Sequence, residues 1–373
     1  MMKERGNIRD LPDDLVVEIL SRVPVVSLVR LRSTSKTWNV LIKDGRISKK
    51  HDDNAPRPRH SLIIMLIDFR LYLVSVDLHS NYNNKVKIAS QFSLKDPVYA
   101  SLKEVDIRHV FHCDGLLLCT TLYNRLVVWN LCSNETKWIQ PRHFFKESDI
   151  FALGKSSCKK YKILRINQSD CISGSVSILD CEIYDFTSNS WRVVGKTRSW
   201  FIPEWKGCRN GMSVNGNTYW LAALTKHWTD FILRFDFSTE RFVSVSLPID
   251  DDHLISLSVT REDQKLCILA TRAVESSIGD VWIATKIEST GAASWSKFLS
   301  LNSVYRPFSF DSGLNFLVDK ENKVLVCRGK NGISDYFLHV VGEDNKCIQV
   351  DHHDAESTCS LVFSYVPTLV QIQ

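Results

Sequence analysis

The pattern of hydrophobic and polar positions divides the chain near residue 60. Before that point apolar residues recur three or four positions apart, and after it they form short runs separated by turn residues. The first helical stripe comprises Leu15, Ile19, Leu20 and Val23. Pro24 ends this helix, because the residue before a proline is pushed out of the helical region of backbone space.

Other residues place the helix boundaries. Pro12 suits a first helical turn, where its missing N–H group is not needed, and the two aspartates after it favour the positive end of the helix dipole. We predict a second short helix that carries residues 28–31, and a third that carries residues 38–42 and is capped by Ser33 or Thr34. A unit of about 40 residues rarely buries enough surface to be stable alone. These helices therefore dock either on the rest of the chain or in a partner's groove.

This segment resembles the F-box, the module that joins a Skp-type adaptor in Skp–cullin–F-box ubiquitin ligases. The resemblance implies a three-helix F-box over residues 5–50 that binds a Skp-family adaptor and, through it, a cullin. It also implies that the matching side chains are shared between the module's own core and the adaptor. The residues on pattern positions, and hence the candidate adaptor-binding residues, are Leu11, Pro12, Leu15, Ile19, Leu20, Val23, Pro24, Leu28, Leu31 and Trp38.

The rest of the chain has the pattern of an all-β domain. Residues 51–60 are polar and contain two prolines, which predicts a linker. Beyond the linker, runs rich in Val, Ile, Leu and aromatic residues alternate with Gly, Asn, Asp and Ser, which predicts short strands over 61–373. The clearest runs are residues 62–67, 71–76, 115–119, 126–129, 162–166, 218–222, 231–235, 266–270 and 324–327.

A weak internal repeat organises these strands. Each copy has an aromatic residue, usually Asp or Asn next, a few turn residues and a second aromatic, as expected for a hairpin closed by an Asx turn. A period near 50 residues is typical of kelch-like propeller blades, of which residues 61–373 would hold about six. A curled β-sandwich is the alternative fold. The aromatic pairs are Trp129–Trp138, Tyr184–Trp191, Phe235–Phe242 and a divergent Trp282–Trp295.

The β region also resembles a known family, the F-box-associated domain of a large plant family. In that family the domain follows the F-box directly and recognises the substrate. The resemblance covers nearly the whole chain, with one departure at Leu131, where the family usually has proline. The segments that carry it are C-D-G-L-L-L-C (113–119), L-V-V-W-N (126–130), E-I-Y-D-F (182–186), G-M-S-V-N-G-N-T-Y-W-L-A (211–222), F-D-F-S-T-E-R-F (235–242) and S-Y-V-P-T-L-V-Q-I (364–372).

Composition narrows the cellular setting. The longest aliphatic run, residues 62–67, is far too short to span a bilayer, so we expect no membrane partner. No apolar segment follows the charged N-terminus, so no secretory signal is indicated. The 11 cysteines are an odd number without a C-x-x-C motif, which favours reduced thiols in the cytoplasm or nucleus.

The net charge of +5 lies entirely in residues 1–50, and the remainder is neutral. Arg30, Arg32, Lys36 and Lys43 contribute to this balance in the second half of the helical module. They could attract an acidic protein partner, contact nucleic acid or form a solvated face. Because no nucleic-acid-binding motif accompanies the charge, we predict no nucleic-acid partner.

The sequence offers no convincing catalytic, cofactor or metal site. The G-M-S-V-N-G segment at 211–216 lacks the second glycine of a nucleophile elbow and precedes a strand. The D-H-H-D run at 351–354 places neighbouring side chains on opposite faces of an extended chain, so they cannot easily share one ion. His109, His112 and Cys113 have a suggestive spacing but no second ligand pair.

One segment is a candidate for target recognition. Residues 196–211 place Trp200, Phe201 and Trp205 among turn residues, and Trp228 is a weaker candidate of the same kind. Exposed aromatics are good anchors for a protein partner. The alternative, which we favour, is that these side chains cap the core of a blade.

The pattern and the two family resemblances together imply an α+β multidomain chain, a small three-helix F-box followed by a large β-propeller-like domain. The predicted function is that of a non-catalytic substrate-recognition subunit of a Skp–cullin–F-box ubiquitin ligase, which holds an unknown protein target. The alternatives are an F-box scaffold outside a ligase, a glycan- or protein-binding propeller module and a propeller-fold enzyme.

Overall fold

The computed structural model describes most of the chain. The described residues are 11–43, 45–54, 61–76, 86–97, 104–168, 179–203, 211–225, 229–249, 253–261, 264–272, 278–302, 316–331, 335–342, 347–350 and 359–372. None of the helices within these ranges combines the length and the apolar character that a membrane crossing requires.

The three predicted helices form, and Ser35 separates the second from the third. The Ser35 hydroxyl accepts a 3.1 Å hydrogen bond from the Trp38 N–H group, so Ser35 is the cap rather than Ser33 or Thr34. The hydroxyls of Ser33 and Thr34 instead donate back to carbonyl groups of the second helix. The helices are α1 (Asp13–Ser21), α2 (Val25–Thr34), α3 (Lys36–Ile42) and α4 (Gly45–Asn54).

Helix α4 was not predicted and occupies the start of the proposed linker. It carries a single buried aliphatic residue, Ile47, and one turn later the buried His51. The His51 Nε2 atom lies 2.8 Å from the Val23 carbonyl oxygen, which fixes α4 on the turn between α1 and α2. The linker prediction thus fails for residues 51–54, and residues 55–60 lie outside the described residues.

The described residues of the β domain form six antiparallel sheets, and all nine predicted runs lie within or overlap their strands. Five sheets have four strands, and in the fourth sheet β12 and β13 both pair with β14. The strands are β1 (Ser61–Ile67), β2 (Arg70–Val76), β3 (Val86–Phe92), β4 (Ile107–Cys113), β5 (Leu116–Thr121), β6 (Leu126–Asn130), β7 (Glu135–Ile139), β8 (Ile150–Lys155), β9 (Tyr161–Asn167), β10 (Leu179–Asp185), β11 (Ser190–Thr197), β12 (Trp200–Phe201), β13 (Met212–Val214), β14 (Asn217–Leu224), β15 (Asp230–Asp236), β16 (Arg241–Val245), β17 (His253–Val259), β18 (Leu266–Arg272), β19 (Ile278–Ile287), β20 (Ala293–Asn302), β21 (Phe316–Asp319), β22 (Val324–Asn331), β23 (Asp335–Gly342), β24 (Cys347–Val350) and β25 (Cys359–Ser364).

The sheets form a closed ring, which is the six-bladed propeller and not a sandwich. The apolar clusters lie between successive sheets. Ile64 of β1 packs with residues of the second sheet, whereas Ile63 and Met65 of the same strand pack with the sixth sheet. Because successive side chains of a strand point to opposite faces, the first sheet contacts both neighbours and closes the ring.

The closure is made by β25, which pairs with β1 as the inner strand of the first sheet. The register joins Ile63 to Ser364 and Met65 to Val362. The Tyr365 N–H group adds a 2.9 Å bond to the Leu62 carbonyl. The first blade is therefore built from the two ends of the β domain, and its inner strand comes from the C-terminal side.

The internal repeat is the hairpin between the third and fourth strands of a blade. Asn130, Asp185 and Asp236 each accept hydrogen bonds from backbone N–H groups two or three residues later, as the Asx turn requires. In the divergent fourth copy, Trp282 lies opposite Lys297 and not opposite the predicted partner Trp295. The hairpin that joins their strands turns at Gly291. The aromatic rings pack across the strands in two copies, Tyr184 with Trp191 at 5.3 Å and Phe235 with Phe242 at 4.7 Å.

The ends of the strands define two faces of the propeller. The β4–β5 and β6–β7 turns lie on the face that also receives the start of β1 and the end of β25, which we call the proximal face. The β1–β2 and β5–β6 turns and the connection from β7 to β8 lie on the opposite, distal face, since antiparallel strands reverse direction at each turn.

The C-terminal residues cross the proximal face and reach the helices. The Asn130 side chain donates to the carbonyls of Thr368 and Val370, the latter at 2.8 Å. Leu369 is buried in the apolar cluster of the helical module. The Gln371 side chain donates a 3.2 Å bond to the carbonyl of Lys43 in the C-cap of α3. This tail holds the helical module against the proximal face.

His112 gives the closure a pH dependence. Its ring stacks on Phe363 of β25 at 5.3 Å and accepts a 3.0 Å bond from the Gly115 N–H group. Desolvation lowers the pKa of His112 to about 4, so the folded ring stays neutral where the unfolded ring, with its ordinary pKa of 6.5, takes up a proton. Stability from this site is therefore lost as the pH falls from 6.5 towards 4.

We expect the His112→Gln variant to lose this dependence. Glutamine keeps an acceptor and does not titrate, so the free energy of unfolding of the native chain should fall by about 2 kcal/mol more than that of the variant between pH 6.5 and 4. Urea unfolding at several pH values measures the difference. Parallel curves for the two proteins would contradict the assignment.

Candidate functional site

The helical module exposes an apolar stripe on α1 and the residue before it. Leu11, Leu15 and Ile19 are 39%, 51% and 46% exposed. They are four residues apart, which places them on one side of a helix. Val26 at the start of α2 is also exposed. Isolated exposed aliphatic residues are ordinary, but a row of them on a module this small is a candidate partner surface.

The opposite side of α1 forms the module's own core. Val16, Val17 and Leu20 are buried together with Leu28 of α2. Of the ten predicted adaptor-binding residues, the structure thus places Leu20 and Leu28 inside the module. Val23, Leu31 and Trp38 are half-buried against the same core, and Leu11, Pro12, Leu15, Ile19 and Pro24 are exposed.

Charged residues flank the exposed stripe. Glu18 receives bonds of 3.1 and 2.6 Å from Arg22 and also pairs with Lys50 of α4. These two cations hold the pKa of the Glu18 carboxyl below its usual value. Of the basic residues noted in the sequence, Arg32 is half-buried and its Nε atom donates to Asn39, while Arg30, Lys36 and Lys43 are exposed. The module therefore presents an apolar row beside a largely basic surface.

The candidates for chemistry have structural explanations. Ser213 lies in the β13–β14 hairpin, which turns at Asn215 and Gly216 with positive φ, so it is not at a strand-to-helix turn. Cys113 is buried, which raises the pKa of its thiol. Within the described ranges no three His, Cys, Asp or Glu side chains are placed to hold a metal ion. Residues 351–354 lie outside those ranges.

The aromatic residues predicted to bind a target are not on the rim where the structure describes them. Trp200 and Phe201 are only 8% and 3% exposed. They form β12, which pairs with β14, and Trp200 packs on Phe242 at 4.9 Å. Their role is to fill the blade core, and the anchor hypothesis for them is wrong. Trp205 and Trp228 lie outside the described residues.

Three aromatic residues other than the predicted anchors are exposed in the described part of the β domain. They are Phe69 at 47%, Tyr123 at 83% and Phe144 at 94% exposure. Phe69 lies in the β1–β2 turn, Tyr123 in the β5–β6 turn and Phe144 in the β7–β8 connection, so all three are on the distal face. The sequence reasoning missed them, because nothing in the pattern distinguishes an exposed aromatic in a turn from a buried one.

A buried ion cluster supports this region of the distal face. The Arg165 guanidinium, 3% exposed, lies 2.7 Å from Asp149 and 3.0 Å from Glu182. It also donates to the Phe144 carbonyl at 3.3 Å and lies over the ring of Phe145. One buried cation thus joins β9, β10 and the β7–β8 connection.

Replacing Arg165 by methionine is expected to lower the free energy of unfolding by about 3–5 kcal/mol, because two carboxylates lose their buried partner. Urea denaturation monitored by tryptophan fluorescence measures the loss. Arg192→Met is the control, since the pair of Arg192 with Glu240 is far more exposed and its loss should cost about 1 kcal/mol or less. Equal losses in the two variants would refute a special role for the cluster.

Comparisons with known proteins agree with both parts of the structure. Residues 8–50 match the F-box domain family, and residues 62–372 match the F-box associated beta propeller domain family. Among solved structures, TolB from Acinetobacter baumannii matches with a TM-score of 0.45 and 9% identity over 88% of this chain and 73% of its own, a level that has no bearing on function.

Full-length relatives occur in Arabidopsis thaliana. One that bears an F-box protein name, At4g10190, is 63% identical over 99% of this chain and 100% of its own length. Two more with F-box names, At3g21130 and At3g21120, are 51% and 48% identical over at least 97% of both chains. With an F-box of four helices followed by a six-bladed propeller, this chain belongs to the F-box proteins that carry an F-box-associated β-propeller domain.

Proposed function

We propose that this protein is the non-catalytic substrate receptor of a Skp–cullin–F-box ubiquitin ligase. The observation that carries the proposal is the exposed row of Leu11, Leu15 and Ile19 on a helical module that matches the F-box. F-box domains generally bind Skp-type adaptors, and an unsatisfied apolar row fits such a partner. The odd number of cysteines, without a C-x-x-C motif, favours reduced thiols and therefore supports action in the cytoplasm or nucleus.

The contribution to ubiquitination is proximity. The helical module engages the adaptor and, through it, the cullin, while the propeller holds the target. A target so held meets the ubiquitin-charged enzyme in an effectively unimolecular step, which raises the local concentration of its lysines. The tail contacts of Leu369 and Gln371 suit this role, because a fixed module presents the target at a defined angle.

Co-purification with a recombinant Skp-family adaptor and cullin tests the proposal. The full chain should retain both, and a chain that begins at residue 55 should retain neither. Retention of the adaptor without the cullin would favour a scaffold outside a ligase. Absence of adaptor from soluble full chain would refute the proposal.

A further inference from the structure

The distal face carries three aromatic side chains, Phe69, Tyr123 and Phe144, which we call the distal aromatic patch. All three are large, and two are more than four-fifths exposed. Exposed aromatics are enriched at the energetic centres of protein interfaces and are otherwise uncommon in turns, where polar residues dominate. A shared location on one face requires an explanation beyond folding.

Backbone hydrogen bonds connect the loops that carry Phe69 and Tyr123. The Ile107 N–H group donates a 3.0 Å bond to the Phe69 carbonyl, which joins the β1–β2 turn to the start of β4. The next residue towards the N-terminus, Asp106, accepts a 3.1 Å bond from the Leu122 N–H group. The turns that carry Phe69 and Tyr123 are therefore hydrogen-bonded to two adjacent residues, Ile107 and Asp106 respectively, at the start of β4.

Arg108 connects the Tyr123 turn to the β7–β8 connection. Its guanidinium donates 3.1 and 3.0 Å bonds to the Leu122 carbonyl and the Asn124 side chain, on either side of Tyr123. It also lies 3.2 Å from Glu147. The turn that displays Tyr123 and the connection that displays Phe144 are thus joined through one side chain.

Phe144 is held outward by its neighbour. Phe145 is buried and packs against Phe151 at 5.1 Å and Trp191 at 5.8 Å. The Phe144 carbonyl is fixed by Arg165 beneath it. The packing of Phe145 and the bond from Arg165 fix the backbone of this loop, and the Phe144 side chain faces solvent. Because the loop is already ordered, little conformational entropy of its backbone is lost when a partner covers Phe144.

A small cleft of about 20 Å³ lies beside the patch between the second and third blades. It is lined by residues that include Phe111, Thr120, Asp149 and Phe151. The Asp149 side chain is fully buried, yet its Oδ1 atom and the buried Oγ1 atom of Thr120 have no hydrogen-bond partner among the described residues. Unpaired buried acceptors are costly, and a donor group that enters the cleft would relieve that cost.

The charges of this face select an uncharged partner. Arg70 pairs with Asp106 at 2.9 Å and Arg108 with Glu147 at 3.2 Å, while Arg165 is neutralised from below. These cations are matched by carboxylates of the same face, and Arg142 lies 3.9 Å from Glu182, so the exposed Lys146 near Phe144 is left as an isolated surface charge, too weak to select a charged ligand by itself. Recognition here rests on aromatic contact and on hydrogen bonding.

We infer that the distal aromatic patch is the docking surface for the target, and that it takes an uncharged, apolar-rich segment of the target polypeptide. Apolar side chains of that segment pack on Phe69, Tyr123 and Phe144, and a small uncharged donor, a hydroxyl group, enters the cleft beside Asp149. This inference rests on the proposed receptor function and adds the surface and the chemistry of the ligand. The patch faces away from the helical module, so target and adaptor bind at the same time.

Peptide phage display on the full chain, performed with and without added adaptor, tests the inference. The probe is a random peptide library of about twelve residues, and the selected peptides are resynthesised for affinity measurement. We expect a consensus with aromatic or branched aliphatic residues and no net charge. Phe144→Ser and Tyr123→Ser should each weaken those peptides about tenfold or more, whereas Val193→Ser, an exposed apolar position on β11, should leave their affinity unchanged.

Other outcomes overturn the inference. A charged consensus, peptides insensitive to both patch variants, or no enriched peptide would each exclude an apolar segment docked on the patch. Thr120→Val offers a check on the cleft, since it removes the buried Oγ1 atom without touching the ion cluster of Arg165, and it should change the preferred donor group without removing the apolar consensus. Adaptor binding, measured in the same samples, reports on the receptor function separately, so failure of one can be told from failure of the other.

Discussion

Replacing Leu15 by aspartate is expected to weaken binding to a Skp-family adaptor by roughly a hundredfold or more, with the fold intact. Leu15 is half exposed in the isolated chain and would be covered by the partner, so the substituted carboxylate would lose water without gaining a counterion. Titration calorimetry with purified adaptor measures the affinity, and circular dichroism confirms the fold. Ile19→Asp, one turn further along the same row, should behave alike.

Two control variants separate binding from folding. Val193→Asp places the same charge on an equally exposed apolar position of β11 and should leave adaptor binding unchanged. Leu20→Asp places it in the buried core of the module and should unfold the helices, which reduces helical signal as well as binding. If Leu15→Asp and Ile19→Asp both bind the adaptor normally, the exposed row is not the interface.

Removing β25 is expected to have the largest effect on stability. A chain that ends at residue 358 lacks the inner strand of the first blade, which leaves the edge of β1 unpaired and the apolar cluster with Phe363 and Tyr365 open. Exposed sheet edges promote aggregation. We expect this variant to be insoluble or to melt at least about 10 °C below the full chain, as differential scanning calorimetry would show.

A chain that ends at residue 365 is the matched comparison. It keeps β25 but loses the contacts of Thr368, Leu369 and Gln371 with Gly115 and the helical module. Its propeller should melt close to the native temperature, whereas the helical module should become more accessible to protease. If both truncated chains were as stable as the full chain, closure by β25 would not be what stabilises the propeller.

The strands could be predicted because blade strands are buried on both faces. A run such as residues 62–67 is apolar throughout, since alternate side chains enter the clusters on either side of the sheet. The hairpin repeat was also visible, because the Asx turn needs Asp or Asn at a fixed place. Helix α4 was missed because Ile47 is its only buried aliphatic residue, too few for a periodic pattern.

The sites were harder to predict than the fold. Leu15 and Leu20 belong to one helical stripe in the sequence, yet one is exposed and the other buried, since the division depends on where α4 and α2 pack. Phe144 and Phe145 are identical residues side by side, and only the ring contacts of Phe145 decide which of them faces water. The turn residues around Trp200 left two roles open, an exposed anchor or the favoured place in a blade core, and only the pairing of β12 with β14 shows that Trp200 is buried.

The pairing of β1 with β25 also sets an order of events on the ribosome. Roughly 290 residues separate Ile67 from its partner Cys359, which at bacterial-to-eukaryotic elongation rates of about 5–20 residues per second is some 15–60 seconds of synthesis. Throughout that interval β1 has no inner neighbour, while the helical module is already outside the exit tunnel. If the helical module binds an adaptor as proposed, the nascent chain can therefore meet that adaptor before its propeller closes.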